Sequence, residues 1–319
     1  MIVCWGLGQL EPLLGDVGIE HPLLVTSARF ANLEIPVAER FVGVRRHAPV
    51  DVVAAATDAA ASADGLVAVG GGSAIDTAKA VSAATDLRLI AIPTTYSGSE
   101  WTGYFGMRDE ERGAKTGGSG AHTVAVVYEP SLTLDLPPEE SVGTAMNALA
   151  HCAEALYAGA DEDATTGAGL IAGALPRVVE DGRDENVRRE LLEGAMHAGI
   201  ALAARGLFLA HAMAQALGGR YGASHGGLNA LCLAPALRFN EPVVPDAVAS
   251  LATAMRVADA PTRVEELARL GGFERLRDLG IPDSELGDVA HQVAERPGAR
   301  SNPRPASAAE IEALLRSIW

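Results

Sequence analysis

The stretch Leu66-Val67-Ala68-Val69-Gly70-Gly71-Gly72-Ser73-Ala74-Ile75-Asp76-Thr77-Ala78-Lys79 decides how this chain is read. A short apolar run, of the kind that makes a buried strand, empties into three glycines. Ser73 then opens a segment with helical spacing that reaches about Ala84. Glycine carries no Cβ, and the first turn of a helix presents unpaired N–H donors, so such a junction suits an anion. Phosphate binding is therefore favoured over an unliganded turn. Ser73 reads as an N-cap or phosphate contact, with Asp76 at capping-box spacing behind it. The spacing is neither GxGxxG nor GxxxxGK[ST], so the glycines alone leave the ligand open.

Outward from this junction, Leu23–Thr26, Leu89–Ile92 and Thr123–Tyr128 read as further strands, and the Ala-rich segment Asp51–Ser62 as a helix. Strands alternating with helices imply βαβ units and a largely parallel sheet. Pro93-Thr94-Thr95-Tyr96-Ser97-Gly98-Ser99-Glu100 leaves one of these strands, and the carboxyl ends of parallel strands are where such sheets bind ligands. Its hydroxyls are candidates for a nucleotide or substrate, against an equally weighted plain turn. After Pro137-Pro138 the texture changes to long Ala/Leu/Glu/Arg segments: Ser141–Ala158, Thr165–Val179, Asn186–Ala204, Ala210–Leu217 and Asp246–Arg256. Arg263–Leu270, Glu285–Ala294 and Ser307–Ile318 follow in the same style. The expected organisation is an α/β domain over 1–138 and an all-helical domain over 139–319.

The chain has 319 residues, with 25 Lys+Arg against 41 Asp+Glu and a formal charge of −16. No basic stripe is visible, which argues against nucleic acid and against an anionic membrane surface as partners. A hydrophobic share of 48% with 21% charged residues is that of a globular protein with an ample core. Cys4, Cys152 and Cys232 form no CxxC pair, and neither a signal peptide nor a membrane-length apolar run is seen, so a cytoplasmic location is expected. Lysine occurs only at Lys79 and Lys115. In so acidic a chain, attraction of a negative cofactor or substrate has to come from local cations and helix N-termini.

Asn147 and His151 stand four apart, as do His211 and Gln215, so each pair shares a helix face. His225 follows in a glycine-flanked segment that reads as a turn. Any one of these histidines is more often structural than functional. Three on two helices and a nearby turn make a shared site an even proposition. Imidazoles there can bind a divalent metal, donate a proton, or hydrogen-bond a carboxylate. His21, His47, His122, His197 and His291 have no such companions in the sequence.

Gly-Gly-Gly-Ser-Ala-Ile-Asp-Thr-Ala-Lys-Ala from Gly70, Ile-Pro-Thr-Thr-Tyr-Ser-Gly-Ser-Glu from Ile92, Glu-Pro-Ser-Leu-Thr-Leu-Asp-Leu-Pro from Glu129 and Met-Asn-Ala-Leu-Ala-His-Cys-Ala-Glu-Ala-Leu-Tyr from Met146 together resemble the iron-containing (group III) alcohol dehydrogenase superfamily. Within it, the chain looks most like the maleylacetate reductases. The resemblance covers nearly the whole chain and implies a dehydroquinate synthase-like fold, an α/β dinucleotide domain followed by a helical one. It implies that Gly70, Gly71, Gly72 and Ser73, with Asp76, cradle the pyrophosphate of NADH or NADPH. Thr94, Thr95, Ser97 and Ser99 would line the rest of the cofactor path. It further gives Lys115, in Ala-Lys-Thr-Gly, a substrate carboxylate or a cofactor oxygen to hold, and places Tyr96 among the catalytic candidates.

Metal-dependent members use an Asp and three histidines, and the matching positions here are Asn147, His151, His211 and His225. An amide oxygen is a far weaker ligand than a carboxylate for a hard dication, which implies work without a tightly bound metal. If a metal is held, His151, His211 and His225 would hold it. Otherwise His211 or His225 serves as electrophile and proton donor in hydride transfer to a carbonyl or activated alkene. The implied substrate is a small carboxylated molecule, as in the last steps of aromatic-ring degradation, and the implied assembly is a homodimer. Rival readings are a metal-dependent alcohol or aldehyde dehydrogenase and an NAD-binding lyase or cyclase of dehydroquinate synthase type. Three departures stand out: the chain is short around Arg29–Pro49, it lacks basic residues after Lys115, and Gln215 replaces a histidine common in the family. Ser27, with Arg29 close by, stands where NADH-preferring relatives often carry an acid, which permits NADPH.

Overall fold

The computed structural model describes residues 1–111 and 114–319, and the side chains of all of these except Ala114 and Lys115. The expected role of Lys115 therefore lies outside the described side chains. The chain forms two compact units, one of Met1–Thr95 with Ser99–Thr133, the other of Tyr96–Gly98 with Leu134–Trp319.

The first unit runs β1 (Ile2–Trp5), α1 (Leu10–Asp16), β2 (Pro22–Thr26), β3 (Glu39–Phe41), α2 (Val50–Ala59), β4 (Gly65–Gly70), α3 (Gly72–Thr85), β5 (Arg88–Pro93), β6 (Phe105–Asp109), β7 (Ala114–Gly118) and β8 (His122–Tyr128). Six strands pair in parallel in the order β1-β8-β5-β4-β2-β3, and β6 and β7 form a separate antiparallel pair. The central strands are apolar on both faces because both are covered. Val67 and Val69 of β4 join Leu24, Ile90, Ile92 and Val127 on one side. Leu66 and Ala68 meet Ile75, Ala78 and Val81 of α3 on the other. From β2 the chain moves outward to β3, and from β4 it moves the opposite way to β5. The sheet thus reverses between β2 and β4, and the three glycines leave β4 at that switch point, the usual ligand position in an open α/β sheet.

The second unit is helical: α4 (Pro138–Leu156), α5 (Glu162–Glu180), α6 (Glu185–Arg205), α7 (Leu209–Tyr221), α8 (His225–Asn240), α9 (Pro245–Ala254), α10 (Ala260–Arg269), α11 (Leu286–Ala294), α12 (Pro297–Arg300) and α13 (Ala308–Ser317). Helix α4 is its centre, packed on α5, α6 and α8 and buried almost all round from Ser141 to Leu156. The unit begins at Leu134, ahead of the boundary at 138 expected from the change of texture. Leu136 already belongs with the helices, since its carbonyl accepts from Arg188 Nη2 of α6 at 3.2 Å and from Ser141 Oγ at 3.3 Å. Among the described residues no single helix is long and apolar enough to cross a membrane.

His225 corrects the expectation of a turn. It is the first residue of α8, whose N-cap Ser224 accepts from Gly227 N at 3.3 Å. Glycines mask this helix in the sequence, and the packing explains them. A Cβ on Gly226 would lie 2.4 Å from both the carbonyl carbon and oxygen of Gly143 on α4. Gly226→Ala is expected to lower stability by about 1–3 kcal/mol, read as a fall in urea midpoint at unchanged slope.

Candidate active site

In the first unit the site is made by the turn after β4. Gly70 has φ +150°, and a Cβ there would sit 2.7 Å from Ala74 Cβ; one on Gly71 would sit 2.8 Å from Thr95 Cγ2. Only glycine fits this close seating of turn, helix and loop. Helix α3 starts at Gly72, with Gly71 as an N-cap that offers no side-chain acceptor. This corrects the reading of Ser73 as N-cap. Ser73 lies inside the first turn, where its Oγ accepts from His47 N at 2.9 Å. Asp76 closes no capping box; it accepts from Gly106 N at 3.2 Å and lies 3.6 Å from Lys79 Nζ. His47 and Ala48 both take left-handed backbone, φ 65° and 46°, so strain is concentrated in the turn that touches Ser73.

Thr94 N donates to Gly70 O at 3.0 Å, and Thr95 Oγ1 is buried beside Gly71 with no partner. An uncapped N-terminus of a 14-residue helix, a glycine turn without side-chain bulk, and an orphaned hydroxyl together fit a dinucleotide pyrophosphate. Ser99 is held from below, since the buried Lys79 donates to its carbonyl at 2.7 Å and to Thr102 Oγ1 at 3.2 Å. Burial lowers the Lys79 ammonium below its usual range, and Asp76 and Glu100 partly restore it.

Glu100 is also buried. Oε1 accepts from Tyr128 OH at 2.8 Å, Oε2 has no partner, and burial raises the carboxyl above its ordinary 4.5. A carboxyl raised in the folded state contributes stability below its unfolded value and loses it as pH rises through the folded one. Glu100→Gln, which keeps the Tyr128 bond, is therefore expected to gain on wild type in melting temperature as pH increases from 4.5. A constant difference between the two across the titration would contradict this.

In the second unit α4, α7 and α8 bring Asn147, His151, His211 and His225 into one cluster. The rings of His151 and His211 stack at 4.7 Å and 11°, and those of His211 and His225 lie 6.2 Å apart at 51°. Burial first, then repulsion from His211 and His225, holds His151 neutral with a pKa well below the usual histidine range. Its Nδ1 and the Nε2 of His211 are buried without partners.

Two residues the sequence reading passed over organise this cluster. Glu154, one turn beyond His151 on α4 and fully buried, accepts from Phe208 N at 2.7 Å, Ala210 N at 2.8 Å, His211 N at 3.3 Å and His211 Nδ1 at 2.8 Å. It caps α7 and orients His211 with the same carboxylate. A carboxylate only accepts, so Nδ1 carries its proton and Nε2 is the ring atom left for chemistry. Asn229 is the second. Its Nδ2 donates to Asn147 Oδ1 at 2.7 Å and lies 3.2 Å from His225 Nε2 and 3.1 Å from His225 O. A signal was available for Glu154: an acid inside a stretch of small and apolar residues needs a buried partner.

The loop 96–98 also belongs to this unit. Asn147 Nδ2 donates to Ser97 O at 3.2 Å, and Gly98, at φ +69°, presses on the backbone of Ala195 and Gly199 of α6. Tyr96 is fully buried, and its hydroxyl accepts from Arg188 Nη1 at 2.8 Å. Arg188 also binds Ser141 Oγ and the carbonyls of Gly182 and Leu136, so this hydroxyl serves a buried cation. Gln215 lies one turn beyond His211 on α7, half-buried.

The iron-containing alcohol dehydrogenase family model matches residues 6–128, and the C-terminal model of the Fe-containing alcohol dehydrogenase family matches 141–319. The chain is 36% identical over 337 aligned residues to a maleylacetate reductase of Pseudomonas knackmussii, covering 98% of this chain and 93% of that protein. A maleylacetate reductase of Sphingobium indicum is 35% identical over 98% of this chain and 94% of its own length. Among solved structures, an iron-containing alcohol dehydrogenase from Corynebacterium glutamicum superposes with TM-score 0.92 at 30% identity, over 100% of this chain and 94% of that one. Maleylacetate reductase from Agrobacterium tumefaciens gives 0.91 at 29% identity, over 100% and 95%. These matches and the glycine turn lead to one conclusion: the chain belongs to the iron-containing alcohol dehydrogenase family, on its maleylacetate reductase side, and is an NAD(P)-dependent oxidoreductase acting on a small molecule.

Proposed function

We propose that this enzyme reduces maleylacetate, or a small keto acid of the same kind, at a carbonyl or activated alkene, and does so without a tightly bound metal. The observation that carries the reading is the Glu154–His211 pair, which leaves one buried imidazole nitrogen without a protein partner. Gly70–Ser73 and Thr95 would hold the dinucleotide, and the chemistry it supplies when bound is hydride donation from the nicotinamide ring. As hydride reaches the substrate carbon, negative charge develops on the neighbouring oxygen. His211 acts in this step as the imidazolium, giving its Nε2 proton to that oxygen and keeping the Nδ1 proton on Glu154, whose carboxylate accepts from the ring before and after the transfer. His151, held neutral, stacks on His211 and fixes the ring plane.

The donor set supports the metal-free part of the proposal. Of the four positions that match the metal ligands, the Asn229 amide already engages two, donating to the Asn147 oxygen at 2.7 Å and lying 3.2 Å from His225 Nε2. Neutral amide oxygen is in any case a poor ligand for a hard dication. On the same family grounds we expect a cytoplasmic homodimer, which light scattering would check for assembly.

Oxidation of NADH and NADPH by the purified enzyme, measured with maleylacetate and with simple aldehydes, tests the reaction. Turnover with maleylacetate that survives chelation, from protein holding well under one metal per chain, is the expected result. One tight metal per chain and activity abolished by chelator would refute the metal-free mechanism. Asn147→Asp, which supplies the missing carboxylate, is expected to raise metal content towards one per chain. Net consumption of NAD(P)H separates the enzyme from a cyclase, which returns its cofactor unchanged.

A further inference from the structure

Arg296 stands immediately before α12, and its guanidinium reaches Gln215 Oε1 of α7 at 3.4 Å, a long bond. Its Nε is buried with no hydrogen-bond partner, and among the described residues no carboxylate lies within ion-pair distance of it. The neighbouring arginines differ. Arg300 pairs with Glu295, and Arg304 with Glu310. A buried donor left unsatisfied costs stability, and a half-buried cation without a counter-charge costs more. Desolvation accordingly lowers its pKa from the usual arginine value.

The place of this cation is defined by packing. A Cβ on Gly298 would come within 2.8 Å of Phe208 O and 3.0 Å of Leu207 O, so the turn carrying Arg296 sits backbone-to-backbone on the start of α7. Phe208 N is one of the donors that Glu154 holds. Gln215, which Arg296 touches, lies on the same face of α7 as His211 and one turn further along, roughly 6 Å up the axis. Arg296 thus meets α7 at the residue one turn beyond the proton-donating imidazole, on the helix face that carries it.

We propose that Arg296, steered by Gln215, binds a carboxylate of the substrate and selects acidic over neutral carbonyl compounds. This rests on the reductase reading above, and it assigns the substrate-binding cation to a residue outside the family motifs. The planar guanidinium offers a carboxylate two parallel N–H bonds, one of them from the Nε that has no protein acceptor. Gln215 Oε1 holds Nη1 and thereby fixes the plane of the group.

The test uses Arg296→Gln and Arg296→Lys in the full-length enzyme, each checked to melt with wild type. With maleylacetate, Arg296→Gln is expected to raise KM by roughly 30-fold or more with a smaller change in kcat, and Arg296→Lys to recover part of the loss. With propionaldehyde as a neutral substrate, KM is expected to stay within about two-fold. Calorimetric titration with succinate, an unreactive dicarboxylate, gives a second readout, expected to weaken at least about ten-fold in Arg296→Gln. Equal KM effects on acidic and neutral substrates, or a KM for maleylacetate unmoved by Arg296→Gln, would overturn the assignment. Should wild type reduce neither class, the reductase reading fails, and succinate decides alone: binding lost with Arg296 upholds the anion site, while equal or absent binding removes it.

Discussion

Glu154→Ala is expected to lower the stability of the enzyme by about 3–5 kcal/mol and to abolish measurable turnover. The substitution leaves Phe208 N, Ala210 N, His211 N and His211 Nδ1 without an acceptor, in a place from which water is excluded, and opens a cavity beside them. The stability effect is read from urea unfolding. The catalytic effect is separated from it by Glu154→Gln, which keeps the volume and one acceptor oxygen. Oε2 of Glu154 serves Phe208 N and His211 Nδ1, and Oε1 serves two backbone donors, so glutamine keeps its oxygen on Ala210 N and His211 N and turns its NH2 towards the ring; the ring loses its orienting acceptor and the proton moves to the other nitrogen. Folded Glu154→Gln is expected to lose on the order of 100-fold in kcat, and wild-type kcat in that variant would dispose of the positioning role.

His211→Ala is the second large effect. Removing the proton donor is expected to lower kcat by about 10²–10⁴-fold, while NAD(P)H affinity, which depends on the turn at Gly70–Ser73, stays within about two-fold. Rates with saturating NAD(P)H and a fluorescence titration of cofactor binding check the two halves separately. A comparable kcat for His211→Ala and wild type would move the proton donor elsewhere, with His225 the next candidate on α8.

The parallel sheet was open to reading because its central strands are buried on both faces and so write themselves as unbroken apolar runs. The edge strands gave no such signal. β1 and β3 are short and partly exposed, and Glu39 and Arg40 look like loop residues. The pair β6–β7 carries Arg108, Asp109 and glycines in place of alternating apolar residues. Helix α8 was hidden by Pro235 and by Gly226 and Gly227, whose missing Cβ atoms allow close packing on Gly143 and Phe273 against the local helix propensity. In the site, Asn147, His151, His211 and His225 could be picked out by spacing and resemblance. Glu154, Asn229 and Arg296 could not be found by motif, because their significance lies in what meets them across helices. Asn229 shares a face with His225, yet its bond to Asn147 spans 82 positions of chain.

The contact of Gly226 with the backbone of Gly143 bears on how this scaffold can change over generations. Helices α4 and α8 touch through main chain, and main chain cannot be varied by substitution. On the proposed assignment of the substrate carboxylate to Arg296, selectivity rests instead on two side chains, Gln215 on α7 and Arg296 itself. A library confined to those two positions would sample altered selectivity while leaving the seam between α4 and α8, and with it the setting of Glu154 and His211, untouched.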